Sequence, residues 1–130
     1  TMPNHEELKY TKTHEWVLVQ GNEATVGLSD HAQHEMGDIV FVELPKAAQA
    51  VEKGKPCAVV ESVKSAFDIY APVSGSIAAL NDEVAGEPAL INQSPLDRAW
   101  LFRITLSDPG QLKDLMDWSA YQDFVKQAAR

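Results

Sequence analysis

The sequence predicts a mainly β domain, α+β in detail, made of two related β halves with a short helix and a helical C-terminus. Three observations carry this. Short β-rich runs are punctuated throughout by Gly, Pro, Asn and Asp, as in a sandwich or barrel. A weak internal repeat relates residues 54–62 to residues 86–94. From residue 111 onward the apolar residues fall at helical rather than alternating spacing. At 130 residues the chain suits a single domain with a real core.

Each element has its own signal. EWVLVQ (15–20) and ATVGLS (24–29) flank Gly21-Asn22, which reads as a hairpin. Ser29 is a good N-cap, Asp30 suits a first helical turn and Gly37 suits the position after a helix, so a short helix is expected near 30–36. DIVFVELP (38–45) reads as strand, stopped by Pro45. Further strands are expected near 57–62, 66–71, 76–80, 88–92 and 100–106. In the tail, Leu112, Leu115 and Met116 form one apolar patch and Tyr121, Phe124 and Val125 another. This predicts an amphipathic helix or helix pair packed on the β body. Trp16, Trp100 and Trp118 read as core or interface aromatics.

Composition narrows the function. The formal net charge is −8, which argues against nucleic acid and anionic membrane surfaces as partners. It suits docking onto basic patches of other proteins. No run of 18 apolar residues exists to span a membrane. The single cysteine, Cys57, allows no intrachain disulfide and reads as a buried structural thiol. His31 and His34 share a helical face, but no cysteine or carboxylate cluster completes a metal set around them. No nucleophile is assembled with a base. Thr1 ahead of Met2 reads as a cloning remnant, with Met2 the expected native start.

One stretch resists the simple reading. AVVESVKSAFDIYAP (58–72) looks like a single strand, yet Lys64 sits in its middle. Laying the second repeat copy over the first puts Pro95 on Val63 and Leu96 on Lys64. Proline cannot sit inside a central strand. The run is therefore expected to be two strands, joined by a hairpin with Lys64 at its tip. SVKS lacks the Gly, Asn, Asp or Pro that tight hairpins favour, and such departures tend to mark functional sites.

Several segments carry a family resemblance: LKYTKTHEW (8–16), TVGLSDHAQ (25–33), GDIVFVELP (37–45), ESVKSAFDIYAPVSG (61–75) and LINQSP (90–95), together with the tail LMDWSAYQDF. Through them the chain resembles the glycine cleavage H-protein family, within the biotinyl/lipoyl-carrier fold. Its ESVKS tip differs from the Asp-Lys-Ala tip of 2-oxoacid dehydrogenase lipoyl domains and from the Met-Lys-Met tip of biotin carriers.

The resemblance implies a barrel-sandwich hybrid, with residues 1–23 as an N-terminal extension, 24–105 as the lipoyl-binding core and 110–130 as a C-terminal helical segment. It implies lipoic acid in amide linkage on Lys64, with Glu61 as a feature read by lipoate-attaching enzymes. It implies that the arm shuttles the aminomethyl group of glycine among three partners. These are the P-protein (glycine decarboxylase), the T-protein (aminomethyltransferase) and the L-protein (dihydrolipoamide dehydrogenase). The chain would be a monomeric carrier and not an enzyme. Thr13, Glu15 and Asp68 would lie beside the loaded arm. Two other readings stay open: an H-like lipoyl donor for other carriers, and a β interaction module without a prosthetic group. A bacterial cytoplasm is the expected location, with the mitochondrial matrix as the alternative.

Overall fold

The computed structural model describes residues 4–128; the expected native start at Met2 lies outside them. A single 3-10 turn at His5–Glu7 is followed by β1 (Lys9–Tyr10), β2 (Glu15–Gln20) and β3 (Glu23–Leu28). Gly21 takes a φ of 61°, the left-handed conformation that the two-residue link between β2 and β3 requires. Helix α1 (Asp30–Met36) begins where Ser29 Oγ accepts from Ala32 N at 3.1 Å. It ends at Gly37, whose φ is 81°. Then come β4 (Ile39–Glu43), β5 (Ala50–Val51), β6 (Pro56–Ser62), β7 (Ala66–Tyr70) and β8 (Gly75–Leu80). Helices α2 (Asp82–Gly86) and α3 (Leu90–Gln93) lead to β9 (Phe102–Leu106), a 3-10 segment at Pro109–Asp114 and α4 (Trp118–Ala128).

The strands form two sheets. One has six strands in the order β1-β2-β3-β9-β8-β5, and the other has three in the order β4-β6-β7. One core joins them: Val26, Phe102 and Ile104 of the larger sheet share a cluster with Val42, Val60 and Ile69 of the smaller. All these pairings are antiparallel; β9 buries alternate residues against that core, whereas β2 and β3 bury consecutive ones.

A second cluster holds the chain ends to the body. Leu8, Tyr10, Trp16, Leu96 and Tyr121 are buried together, with Trp100, Trp118, Phe124 and Val125 packed around them. Tyr10 and Tyr121 stack with centroids 4.4 Å apart, and Trp16 Nε1 donates to the Pro95 carbonyl at 2.8 Å. The tail divides its apolar residues differently from the two expected patches. Leu112 and Leu115 join the main core, while Met116 bridges to Tyr10 and joins the second cluster.

One expected strand is a helix. Residues 88–92 enter α3, so the second copy of the sequence repeat does not share the strand structure of the first. Leu90 and Ile91 are both buried, and a short apolar run of this kind fits either state. A tertiary anchor accompanies the helix. Asn92 Nδ2 donates to the Gln33 side-chain oxygen at 3.1 Å and to the Gly37 carbonyl at 2.9 Å, and Asn92 Oδ1 accepts from Ile39 N at 3.0 Å. The anchor binds α3 to the end of α1 and the start of β4.

The sheet interior has no room to spare at Gly75, where a Cβ would fall 1.9 Å from the Thr105 carbonyl oxygen. Gly75→Ala is expected to lower unfolding free energy by roughly 3 kcal/mol, because a backbone atom must move. Gly86→Ala, with nothing within 4 Å of the new methyl, is expected to be neutral or mildly stabilising. Urea denaturation of the two variants checks both.

Candidate functional site

The run 58–72 is two strands with a tip at 62–65, as the sequence predicts. β6 and β7 pair with Glu61 opposite Ala66 and Val60 opposite Phe67. The tip closes without turn residues because a serine does their work. Ser62 N donates to the Ser65 carbonyl at 2.8 Å. Ser62 Oγ accepts from both Lys64 N and Ser65 N at 3.2 Å, and donates to the Ser65 carbonyl at 3.3 Å. A side-chain hydroxyl thus replaces a backbone turn. No residue from 62 to 65 takes a positive φ, so neither Gly nor Asn is needed. Val63 N donates to the Asp38 carbonyl at 3.0 Å, pinning the tip to the segment before β4.

Lys64 is exposed, and its stem lies along the end of α1. Its Nζ donates to the Glu35 carbonyl at 3.4 Å, a long contact that an incoming group displaces at little cost. The stem runs beside Gly37, where a Cβ would stand in ordinary contact 3.4 Å from Lys64 Cε; the glycine is required by its φ of 81° instead. Glu61 is exposed on β6, opposite Phe41 of β4 and outside the cleft described next.

Next to the Lys64 tip lies a cleft of about 660 Å³. Glu35 and Ala66 line it beside the tip, and Thr13, His31, Asp68 and Tyr70 line it further on. The structure therefore brings Thr13 and Asp68 to one cleft. Glu15 lies behind Thr13, with no exposed surface, and lines a second recess of about 380 Å³. Thr13 and Tyr70 line both. The Glu15 carboxylate is fully engaged. Thr11 Oγ1 and Thr13 Oγ1 each donate to Oε1 at 2.5 Å, and Tyr70 N donates to Oε2 at 3.3 Å. Burial raises its pKa above the ordinary carboxylate value, although the Thr11, Thr13 and backbone hydrogen bonds pull the other way.

The cleft wall beyond Thr13 is built around the Tyr121 hydroxyl. It lies 2.7 Å from His14 Nδ1 and 2.7 Å from Ser29 Oγ, joining α4 to the turn before β2 and to the N-cap of α1. His14 holds a φ of 72°, an uncommon conformation for a non-glycine residue. Its pKa is lowered, first by burial and then by the His31 ring 4.9 Å away, with Glu35 partly opposing. His31 and His34 make i,i+4 contacts with Glu35 and Asp30 at 3.9 and 3.5 Å. Among the described residues no three His, Cys, Asp or Glu side chains are grouped to hold a metal ion. Cys57 is half-buried, and burial pushes its thiol up to about 12.

Chemically, this is a rigidly based amine at the head of a cleft that carries a carboxylate, Asp68, along its length. Sequence reasoning missed Ser62, Thr11, Asn92 and Tyr121. Ser62 had a readable signal, a hydroxyl three residues before the end of a turn. Asn92 and Tyr121 act across long sequence separations and had none.

The chain as a whole is similar to known proteins. The family model described as glycine cleavage H-protein matches residues 8–128. A glycine cleavage system H protein from Thermotoga maritima is 50% identical over 119 residues, covering 92% of this chain and 96% of that protein. One from Aeromonas salmonicida is 52% identical over 120 residues, covering 92% and 93%. A crystal structure of a glycine cleavage system H protein from Mycobacterium marinum aligns with a TM-score of 0.84 at 30% identity, covering 96% of this chain and 98% of that one.

Ser62→Ala removes the acceptor for two tip amides. It is expected to cost about 1 kcal/mol, by analogy with loss of a helix cap, and to speed hydrogen exchange at Lys64 and Ser65. Glu15 generates a pH dependence. Its raised pKa means the folded state holds a proton that the unfolded state has released. Stability should therefore fall as pH rises from the ordinary carboxylate value through the raised one, and level off above it. Glu15→Gln should abolish that slope in denaturation curves recorded across the window.

Proposed function

The chain belongs to the glycine cleavage H-protein family, and on that premise we propose that Lys64 is the residue to which its lipoic acid is attached. Members of this family are carriers rather than enzymes. The covalently held lipoyl group supplies a dithiolane that accepts the aminomethyl unit of glycine from the P-protein, yields it to the T-protein and is reoxidised by the L-protein. The residues of this chain do the rest: they present an amine, shelter a cargo and offer surfaces to partners.

The observation that carries the assignment to Lys64 is its placement. It stands exposed on a hairpin tip whose backbone is fixed by Ser62 and Asp38, at the head of a 660 Å³ cleft. A stem anchored on a rigid base keeps the arm at high effective concentration near a docked partner. Glu61, exposed one strand position from the turn, is proposed as a feature read by the attaching enzyme. Thr13 and Asp68 are proposed to meet the cationic cargo within the cleft. Glu15 is proposed to act from behind Thr13, by fixing the hydroxyl that faces the cleft and by adding negative potential. Residues 24–105 are proposed as the lipoyl-bearing core, 1–23 as the N-terminal extension and 110–130 as the C-terminal segment, of which 129–130 lie outside the described residues. The matched relatives from Thermotoga maritima and Aeromonas salmonicida support a bacterial cytoplasmic location over a mitochondrial one. No helix among the described residues is long and apolar enough to cross a membrane.

Expression with lipoate-attaching machinery should add one lipoyl group to the intact mass, and Lys64→Arg should remove it. Modification at another lysine, or none in the unaltered chain, would overturn the assignment. With the fully lipoylated chain, Asp68→Asn should slow glycine-dependent turnover by the P- and T-proteins while leaving the mass addition intact.

A further inference from the structure

Three large apolar side chains are exposed among the described residues: Val40 (56%), Phe41 (48%) and Val63 (68%). All three lie on the Lys64 tip or on β4, the strand paired beside it. Val63 precedes it in the tip, and its N–H donates to the Asp38 carbonyl just before β4. Ile39 pairs with Ser62 and Phe41 with Glu61, so Val40 is an extra residue in β4 and forms a bulge. The bulge has a specific effect. Without it, Val40 would sit opposite Glu61 and Phe41 opposite Val60, which is buried in the core. With it, Ile39 and Val42 are buried while Val40 and Phe41 both face solvent. The fold thus turns a phenylalanine outward beside the modified lysine, where simple alternation would have buried it.

We propose that Val40, Phe41 and Val63 form the apolar recognition surface for the enzyme that acylates Lys64. This rests on the assignment of lipoylation to Lys64. Two observations select this partner. The first is reach. In acylation the neutral Nζ attacks the carbonyl of an activated lipoyl donor, and a nitrogen–carbon bond forms. The bond from that carbonyl to the leaving group breaks with its electron pair, and the amine proton passes to solvent. The reacting atom belongs to the carrier itself, so the attaching enzyme must close around the tip. Enzymes that act at the far end of the finished arm need not. The second is charge. Exposed Asp38 and Glu61 rim the apolar patch. The partner should therefore present an apolar recess bordered by Lys or Arg, with the rim charges setting encounter rate and the apolar contacts setting residence.

The test uses the full-length apo-protein, a purified lipoate–protein ligase, lipoate and ATP. Initial rates of mass addition are measured against carrier concentration. Phe41→Ser combined with Val40→Thr should raise the KM for the carrier about tenfold, with kcat changed less than twofold. Equal denaturation midpoints for variant and parent would show that the fold is kept. Long incubation with excess ligase should still load the variant completely, at Lys64 alone. If the parent chain is never acylated, the lipoylation assignment fails. If the parent is acylated and the variant matches its KM, the recognition surface fails. A variant acylated normally but impaired, once loaded, with the P-, T- or L-protein would assign the patch to that enzyme and overturn the proposal.

Discussion

The hairpin tip that presents Lys64 is held rigid by one hydroxyl, and the rest of the site depends on it. Ser62 Oγ accepts two backbone amides of the tip and donates to the carbonyl that closes it. Because the turn is completed by a side chain, Val63 and Lys64 are released from the conformational demands that usually reserve hairpin tips for Gly and Asn. Residue identity at the tip is then free to serve chemistry. The pairing of β6 with β4 and β7 fixes the same tip from both sides, and Asn92 secures the junction of α1 and β4 beneath it.

The cleft is assembled from parts distant in sequence. Ala66 and Asp68 come from the hairpin, His31 and Glu35 from α1, Thr13 and His14 from the turn before β2, and Val125 from α4. The Tyr121 hydroxyl is the point at which three of these segments meet. The C-terminal helix is therefore part of the cleft wall as well as cover for Tyr10 and Trp16. Glu15 shows how charge is held near this wall. Two threonine hydroxyls and a backbone amide stabilise an ion that burial alone would reject, and its raised pKa shows that they offset the penalty only in part.

What the sequence made legible follows from range. Ser29 and Gly37 delimit α1 through interactions within a turn of chain, and the Gly-Asn link sets the first hairpin in the same way. The split at Lys64 is also legible, although the repeat is not its cause. Pro95 matches Val63 only if 88–92 is strand, and those residues enter helix α3. What broke the run at 62–65 was Ser62 itself. The cleft was legible only through family resemblance, since Thr13 and Asp68 converge by tertiary packing. Asn92, Tyr121 and the bulge at Val40 depend on partners that no local pattern names.

The bulge makes length a structural variable. Between Gly37, which ends the helix, and Pro45, which follows the strand, the residue count decides which way Phe41 faces. Deleting one residue there would leave hydrophobicity and strand propensity almost unchanged. It would also return the phenylalanine position to the interior and erase the apolar collar around the lysine. In chains of this architecture, a single-residue gap in that interval would carry more information about what can grip the tip than most substitutions within it.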